Sequence, residues 1–117
     1  MNEELFDKLE DMGAEIEDTL DRLMGDEDLY VEYLKKFPAN ENIVNLRKSV
    51  DAGDADQAMK DVHTLKGVAL NLGLLPLVDE CMDMLLDFRA GKNDEAMSKI
   101  DAVETSFKEW ADAINEG

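Results

Sequence analysis

The sequence predicts an all-α protein, an antiparallel up-and-down four-helix bundle with an additional N-terminal helix or helices. Three observations predict it. Apolar residues recur at three- and four-residue spacing along the whole chain, and no stretch alternates apolar with polar residues long enough to make a strand. Gly, Pro and Asn punctuate that pattern about one helix length apart, and the turns they mark are short, so sequential helices should lie antiparallel. A length of 117 residues with 44% hydrophobic content is enough for one core and too little for two of ordinary size.

The elements follow in order. Leu5, Leu9, Met12, Ile16, Leu20 and Leu23 form the first stripe, interrupted by Gly13, which makes this region either one kinked helix or two short ones. In GDEDLYVEYLKKFP, Asp26, Glu27 and Asp28 suit the positive end of a helix dipole, and Lys35 and Lys36 the negative end. Its expected buried face is Leu29, Tyr33, Leu34 and Phe37, and Pro38 ends it. The next helix carries Ile43, Leu46 and Val50 and stops at Gly53. Asp54 reads as the N-cap of a central helix running to Gly73, with Gln57 as its capping-box partner. Pro76 suits the first turn of the following helix, whose stripe is Leu74, Leu77, Val78, Cys81, Leu85 and Phe88 and whose end is Gly91. Asn93 is expected to cap the last helix, along which Met97, Ile100, Val103, Phe107, Trp110 and Ile114 keep the period. The expected organisation is a single domain, with residues 1–24 an acidic helical segment packing on the bundle and residues 25–117 the bundle itself.

Charge and composition exclude several functions. Twelve Lys and Arg oppose 29 Asp and Glu, a formal charge of -17. Thirteen of those acids lie in the first 32 residues, against Lys8 and Arg22 alone. Such a chain repels phosphate backbones and anionic lipid, so neither nucleic acid nor a membrane is expected as a partner. One Cys cannot build a disulfide framework or a thiolate metal site, which fits a reducing compartment. No apolar run approaches the roughly 18 residues needed to span a bilayer, and MNEELFDKLEDM is the reverse of a signal peptide, so the expected location is cytoplasmic. The initial Met favours a free-standing protein. Most carboxylates read as solvated helix-face charge, and no metal site is expected.

The central helix carries the chemistry. On a wheel of about 100° per residue, Ala58, Val62, Leu65, Ala69 and Leu72 form the core face and His63 lies away from it. On the side of His63 are Met59 and Leu70, with Lys60 and Lys66 on either flank and Gly67 one turn above. A mid-helix glycine costs about 1 kcal/mol relative to alanine. Its place beside His63 suggests that the missing side chain opens space around the imidazole. Lys66 sets an ammonium beside the same ring, where it can neutralise incoming negative charge. Met59, Lys60 and Leu70 make a docking patch. A free imidazole titrates at about 6.5 and so keeps a nucleophilic nitrogen near neutral pH. Space, a cation, a nucleophile and a docking patch together indicate a group accepted by His63, and the natural candidate is a phosphoryl group.

His63-Thr64-Leu65-Lys66-Gly67, followed by Asn71-Leu72-Gly73, closely resembles the H-x-L-K-G-x-x-x-N-x-G signature of histidine-containing phosphotransfer (HPt) domains. GDEDLYVEYLKKF is similar to the family's helix before the core hairpin, and Cys81 through Gly91 to its second hairpin helix, so the resemblance covers residues 25–115. It implies a four-helix bundle that relays phosphoryl groups between receiver domains of response regulators and hybrid sensor histidine kinases. His63 would be the phosphoacceptor, Lys66 the phosphate-contacting cation and Gly67 the small residue that clears the approach. Some members carry a polar residue where this chain has Leu85, and Arg89, one turn further on, is the candidate to supply charge in its place. No cofactor is implied, since the Mg²⁺ belongs to the partner receiver. With no ATP-binding motif, the chain would be a phosphocarrier and not an enzyme. The alternative is a helical protein-interaction module that keeps the architecture without relaying phosphate. A carboxylate-bridged metal enzyme would want Glu-x-x-His pairs, and the position three residues before His63 is Lys60.

Overall fold

In the computed structural model, which describes residues 2–116, all regular structure is helical. The first stripe divides into α1 (Asn2–Asp11) and α2 (Ile16–Arg22). Gly13 forces the division. It sits at φ 109, a conformation open to glycine, and a Cβ there would lie 2.8 Å from Cγ of Pro76. Helix α3 (Glu27–Lys36) begins where the Asp26 carboxylate accepts a hydrogen bond from the Leu29 N–H at 3.0 Å, and Pro38 sits in a 3₁₀ turn, Phe37–Ala39, that follows it.

The buried face of α3 differs from the expected one. Tyr30, Leu34 and Phe37 point inward, while Leu29 is only half-buried and Tyr33 is 43% exposed. Both tyrosines fit a helical stripe, and a hydrogen bond decides between them. The Tyr30 hydroxyl donates to the Leu72 carbonyl at 2.6 Å, which lets the whole side chain be buried without an orphaned polar atom. Its ring stacks on Phe6 at 5.4 Å, and burial pushes its phenol up to about 12.

The bundle consists of α4 (Asn42–Asp51), α5 (Ala55–Leu72), α6 (Leu75–Arg89) and α8 (Ile100–Glu116), with the single-turn α7 (Asn93–Met97) between the last two. Helix α5 packs between α4 and α6, and α8 closes the ring against both. Asp54 caps α5, accepting from the Gln57 N–H at 3.1 Å, but the reciprocal half of a capping box is not formed. The Gln57 amide instead donates to Asp61 at 2.9 Å, and the other oxygen of Asp61 accepts from the Ser49 hydroxyl of α4 at 2.6 Å. That ties α5 to α4.

The last helix also departs from expectation. Asn93 is the first residue of α7 and not its cap, and the helical run breaks at Ser98–Lys99 before α8 begins. Two bonds favour the break. The Ser98 hydroxyl donates to the Glu95 carbonyl at 2.6 Å, and the Lys99 ammonium reaches Asp87 of α6 at 2.6 Å. Apolar periodicity runs through the break because Ala96 and Ile100 are both buried.

One core joins all of this. Leu65, Leu77, Cys81, Met84, Trp110 and Ile114 are essentially inaccessible at its centre, each large apolar side chain contributing about 1.5–3 kcal/mol. Leu5, Leu9 and Ile16 of the N-terminal helices belong to the same cluster. Across the bundle, Arg47 of α4 donates to Glu104 and, at 2.7 Å, to Asp101 of α8. These acids raise the Arg47 pKa, but the pair with Asp101 is largely solvated and fixes register more than it adds stability.

The N-terminal segment closes one end of the bundle. Helix α1 lies on α8, with Lys8 paired to Glu116. At the end of α5, Gly73 adopts φ 76 as the helix terminator, and its carbonyl accepts from the Glu15 N–H at 2.9 Å. A Cβ at Gly73 would collide with the buried Thr19 hydroxyl and lie 2.9 Å from the Glu15 carbonyl. Glycine there serves both the left-handed cap and the close seating of α2. Among the described residues, no helix is long and apolar enough to cross a membrane.

Candidate functional site

The site is built on the α5–α6 hairpin. Helix α5 commits Ala58, Val62, Leu65, Ala69 and Leu72 to the core, and that choice turns His63 outward. The chain folds back at Gly73–Leu74, which lays α6 alongside α5 and brings Leu85 to the same side as His63. His63 accordingly lines a shallow depression of about 390 Å³ with Met59, Lys60, Thr64, Leu85 and Arg89. Leu85 is a buried apolar floor with no hydrogen-bonding group, and Arg89, the last residue of α6, stands at the rim.

Of the residues singled out in the sequence, His63, Met59, Lys60 and Arg89 come together in this depression. Met59 is half-buried against the core, so it presents an edge and not a whole side chain. Leu70 is 44% exposed and lies two turns beyond His63, outside the depression. Lys66 is also outside it and half-buried. Its ammonium lies close enough to Cys81 to lower that thiol slightly, although burial dominates and pushes the thiol up to about 12. Cys81 is therefore a core residue without nucleophilic use near neutral pH.

Gly67 sits mid-helix one turn above His63. A Cβ built there would meet nothing within 4 Å. No close helix contact calls for a glycine at this position, so what its missing side chain leaves is open space beside the imidazole. Thr64 was not anticipated as a lining residue; its hydroxyl bonds back to the Lys60 carbonyl at 3.0 Å and so turns away from an incoming group.

Cations gather around His63, with Lys60 and Arg89 in the depression itself and Lys66 on its flank. Among the described residues, Lys60, Lys66 and Arg89 take part in no ion pair, as is also true of Arg22, Lys35 and Lys48, whereas Lys8, Lys36, Arg47, Lys92, Lys99 and Lys108 do. Three uncommitted cations around one exposed imidazole, in a protein of charge -17, provide local attraction for an anion.

An all-α bundle that offers a lone imidazole on its outer face, over a shallow floor and among free cations, has the build of a carrier that receives an anionic group at its surface. The Hpt domain family model matches residues 38–116, and the chain belongs to that family. Hpt domains are phosphocarriers, not enzymes, and serve histidine phosphotransfer in phosphorelays. No curated protein and no solved structure matches this chain.

Proposed function

We propose that His63 accepts a phosphoryl group from the aspartyl phosphate of one receiver domain and passes it to the aspartate of another. The unprotonated ring nitrogen attacks phosphorus in line, an N–P bond forms as the bond to the donor carboxylate oxygen breaks, and the carboxylate leaves with its electron pair. The return transfer reverses these steps on the second receiver. Lys60 and Arg89 draw the phosphoryl oxygens toward the depression, Lys66 offsets charge from the flank, and Gly67 leaves the approach path clear. Met59, Lys60 and Leu70 make the first contacts with the receiver. The divalent ion belongs to the receiver, and no cofactor of this chain enters the reaction. A cytoplasmic location fits the single buried Cys and this choice of partner.

The observation that carries the reading is the juxtaposition of exposed His63 with unpaired Lys60 and Arg89, with open space above it at Gly67. The test is His63→Gln. Label from a phosphorylated receiver should enter the wild-type chain as a phosphoramidate, labile in acid and stable in base, and should not enter the variant. Because His63 is exposed, the two proteins should melt alike. Uptake by the variant would move the acceptor to another residue.

A further inference from the structure

A second concavity, of about 490 Å³, opens where α2 and α3 meet the distal half of α5. Val68 and Asn71 of α5 line one side, Arg22, Tyr33 and Lys36 the other, and Phe37 and Leu72 are among the apolar groups at its base. We propose that this groove is a second part of the receiver-docking surface, taking an apolar side chain of the receiver flanked by a carboxylate, and that it helps set which receivers the chain accepts. The inference rests on the reading of His63 given above.

Position supports it first. Val68 and Asn71 lie five and eight residues beyond His63, about 7.5 and 12 Å along the axis at 1.5 Å per residue. A partner of ordinary size covers about 800 Å² per side, a disc of roughly 16 Å radius, so a receiver centred on His63 reaches the groove. Asn71 also falls within a quarter turn of His63 on the wheel. The groove is physically joined to the docking patch, because the Arg22 guanidinium donates to the Leu70 carbonyl at 3.2 Å.

Chemistry supports it next. Both charged lining residues are cations, in a chain of charge -17. Lys36 is tied only to Glu32 at 3.4 Å, through an exposed pair that a competing carboxylate can replace. Tyr33 offers a half-exposed ring with few torsions to freeze, a property typical of interface anchors. A second copy of this chain would bring another -17 to the contact and be repelled. A receiver offering an acidic aspartyl-phosphate face would be attracted.

The test compares wild type, Tyr33→Ala, Lys36→Glu and the double variant. The donor is whichever phosphorylated receiver of the same genome labels the wild-type chain fastest. The receiver concentration giving half-maximal transfer should rise about tenfold in the double variant while the rate at saturation stays within twofold, the pattern of lost docking with intact chemistry. Lys36→Glu alone, a change at an exposed position, should show part of the rise with the fold retained and only a small drop in the melt, and it keeps the test valid if the double variant folds poorly. Unchanged half-saturation overturns the proposal, and if these substitutions change only the sedimentation of the chain alone, the groove belongs to a second copy. A wild-type chain that takes label from no receiver overturns the reading of His63 itself, a different result from a groove variant that saturates normally.

Discussion

Substitution of Gly67 should drive stability and transfer in opposite directions. The residue is in the middle of α5 with helical backbone geometry, so Gly→Ala narrows the unfolded ensemble without straining the folded one and is worth about 0.4–1 kcal/mol. Nothing lies within 4 Å of the added Cβ to offset that gain. With an unfolding entropy of about 2.1 cal/mol/K per residue over 117 residues, the melting temperature should rise by roughly 2–4 °C. Gly67→Gln should gain roughly half as much, since glutamine is a slightly poorer helix former than alanine. Its side chain, however, projects into the space one turn from the imidazole that an in-line phosphoryl donor must cross. Thermal melts followed by circular dichroism, together with single-turnover transfer from a phosphorylated receiver, read the two effects separately. Gly67→Gln should melt no lower than wild type while transferring at least tenfold more slowly, the cost expected when the reacting groups are held out of alignment. Gly67→Ala should fall between. A destabilised Gln variant, or a stable one with normal transfer, would refute the placement of Gly67 beside the path of transfer.

Two further expectations follow from the same geometry. Arg89→Ala should slow transfer more than Lys66→Ala, because Arg89 lines the depression and Lys66 lies outside it; the reverse order of single-turnover rates would restore Lys66 as the main phosphoryl contact. Glu80 of α6 has its pKa raised, mainly by burial and further by Glu109 and Asp83, with Ser106 opposing, and one of its carboxylate oxygens has no partner. An acid whose folded pKa is raised contributes stability that is present below its unfolded value of about 4.3 and lost as pH rises through the folded value. Glu80→Gln should therefore melt higher than wild type at pH 7, with the gap closing near pH 4, and an equal gap at both pH values would contradict this.

The sequence disclosed what local chemistry determines. The Asp26 and Asp54 caps, the Gly73 terminator and the outward turn of His63 all follow from residues within one or two turns of each other. Choices that depend on distant partners stayed hidden. Tyr30 and Tyr33 fit the pattern of α3 equally well, and only the Leu72 carbonyl, 42 residues away, selects Tyr30 for the core. Gln57 left its expected capping role for Asp61, and the last helix broke where Lys99 found Asp87 across the bundle. In the site, His63 and Gly67 could be placed from one helix alone. The convergence of Leu85 and Arg89 with His63 needed the hairpin to be folded about Gly73–Leu74, which helix length and antiparallel packing already allow. The groove between α2, α3 and α5 had no such local signal, because its walls come from helices whose mutual placement no spacing encodes.

The seam at Gly73 bears on how portable this protein is as a module. The family model's match begins at residue 38, yet the end of the helix that carries His63 is held by Glu15 and Tyr30 and packed against Thr19, all of which precede that boundary. A gene fusion that carried only residues 38–116 would leave the Leu72 carbonyl without its hydroxyl donor and expose apolar surface now covered by Leu9, Ile16 and Leu34. The piece that can be transplanted intact is set by this seam and therefore includes the acidic leading helices. Their sequences are free to vary on the solvent side but are tied to Gly73 and Pro76 on the other, so recombination between relatives should favour joints before α1 over joints at the edge of the recognisable bundle.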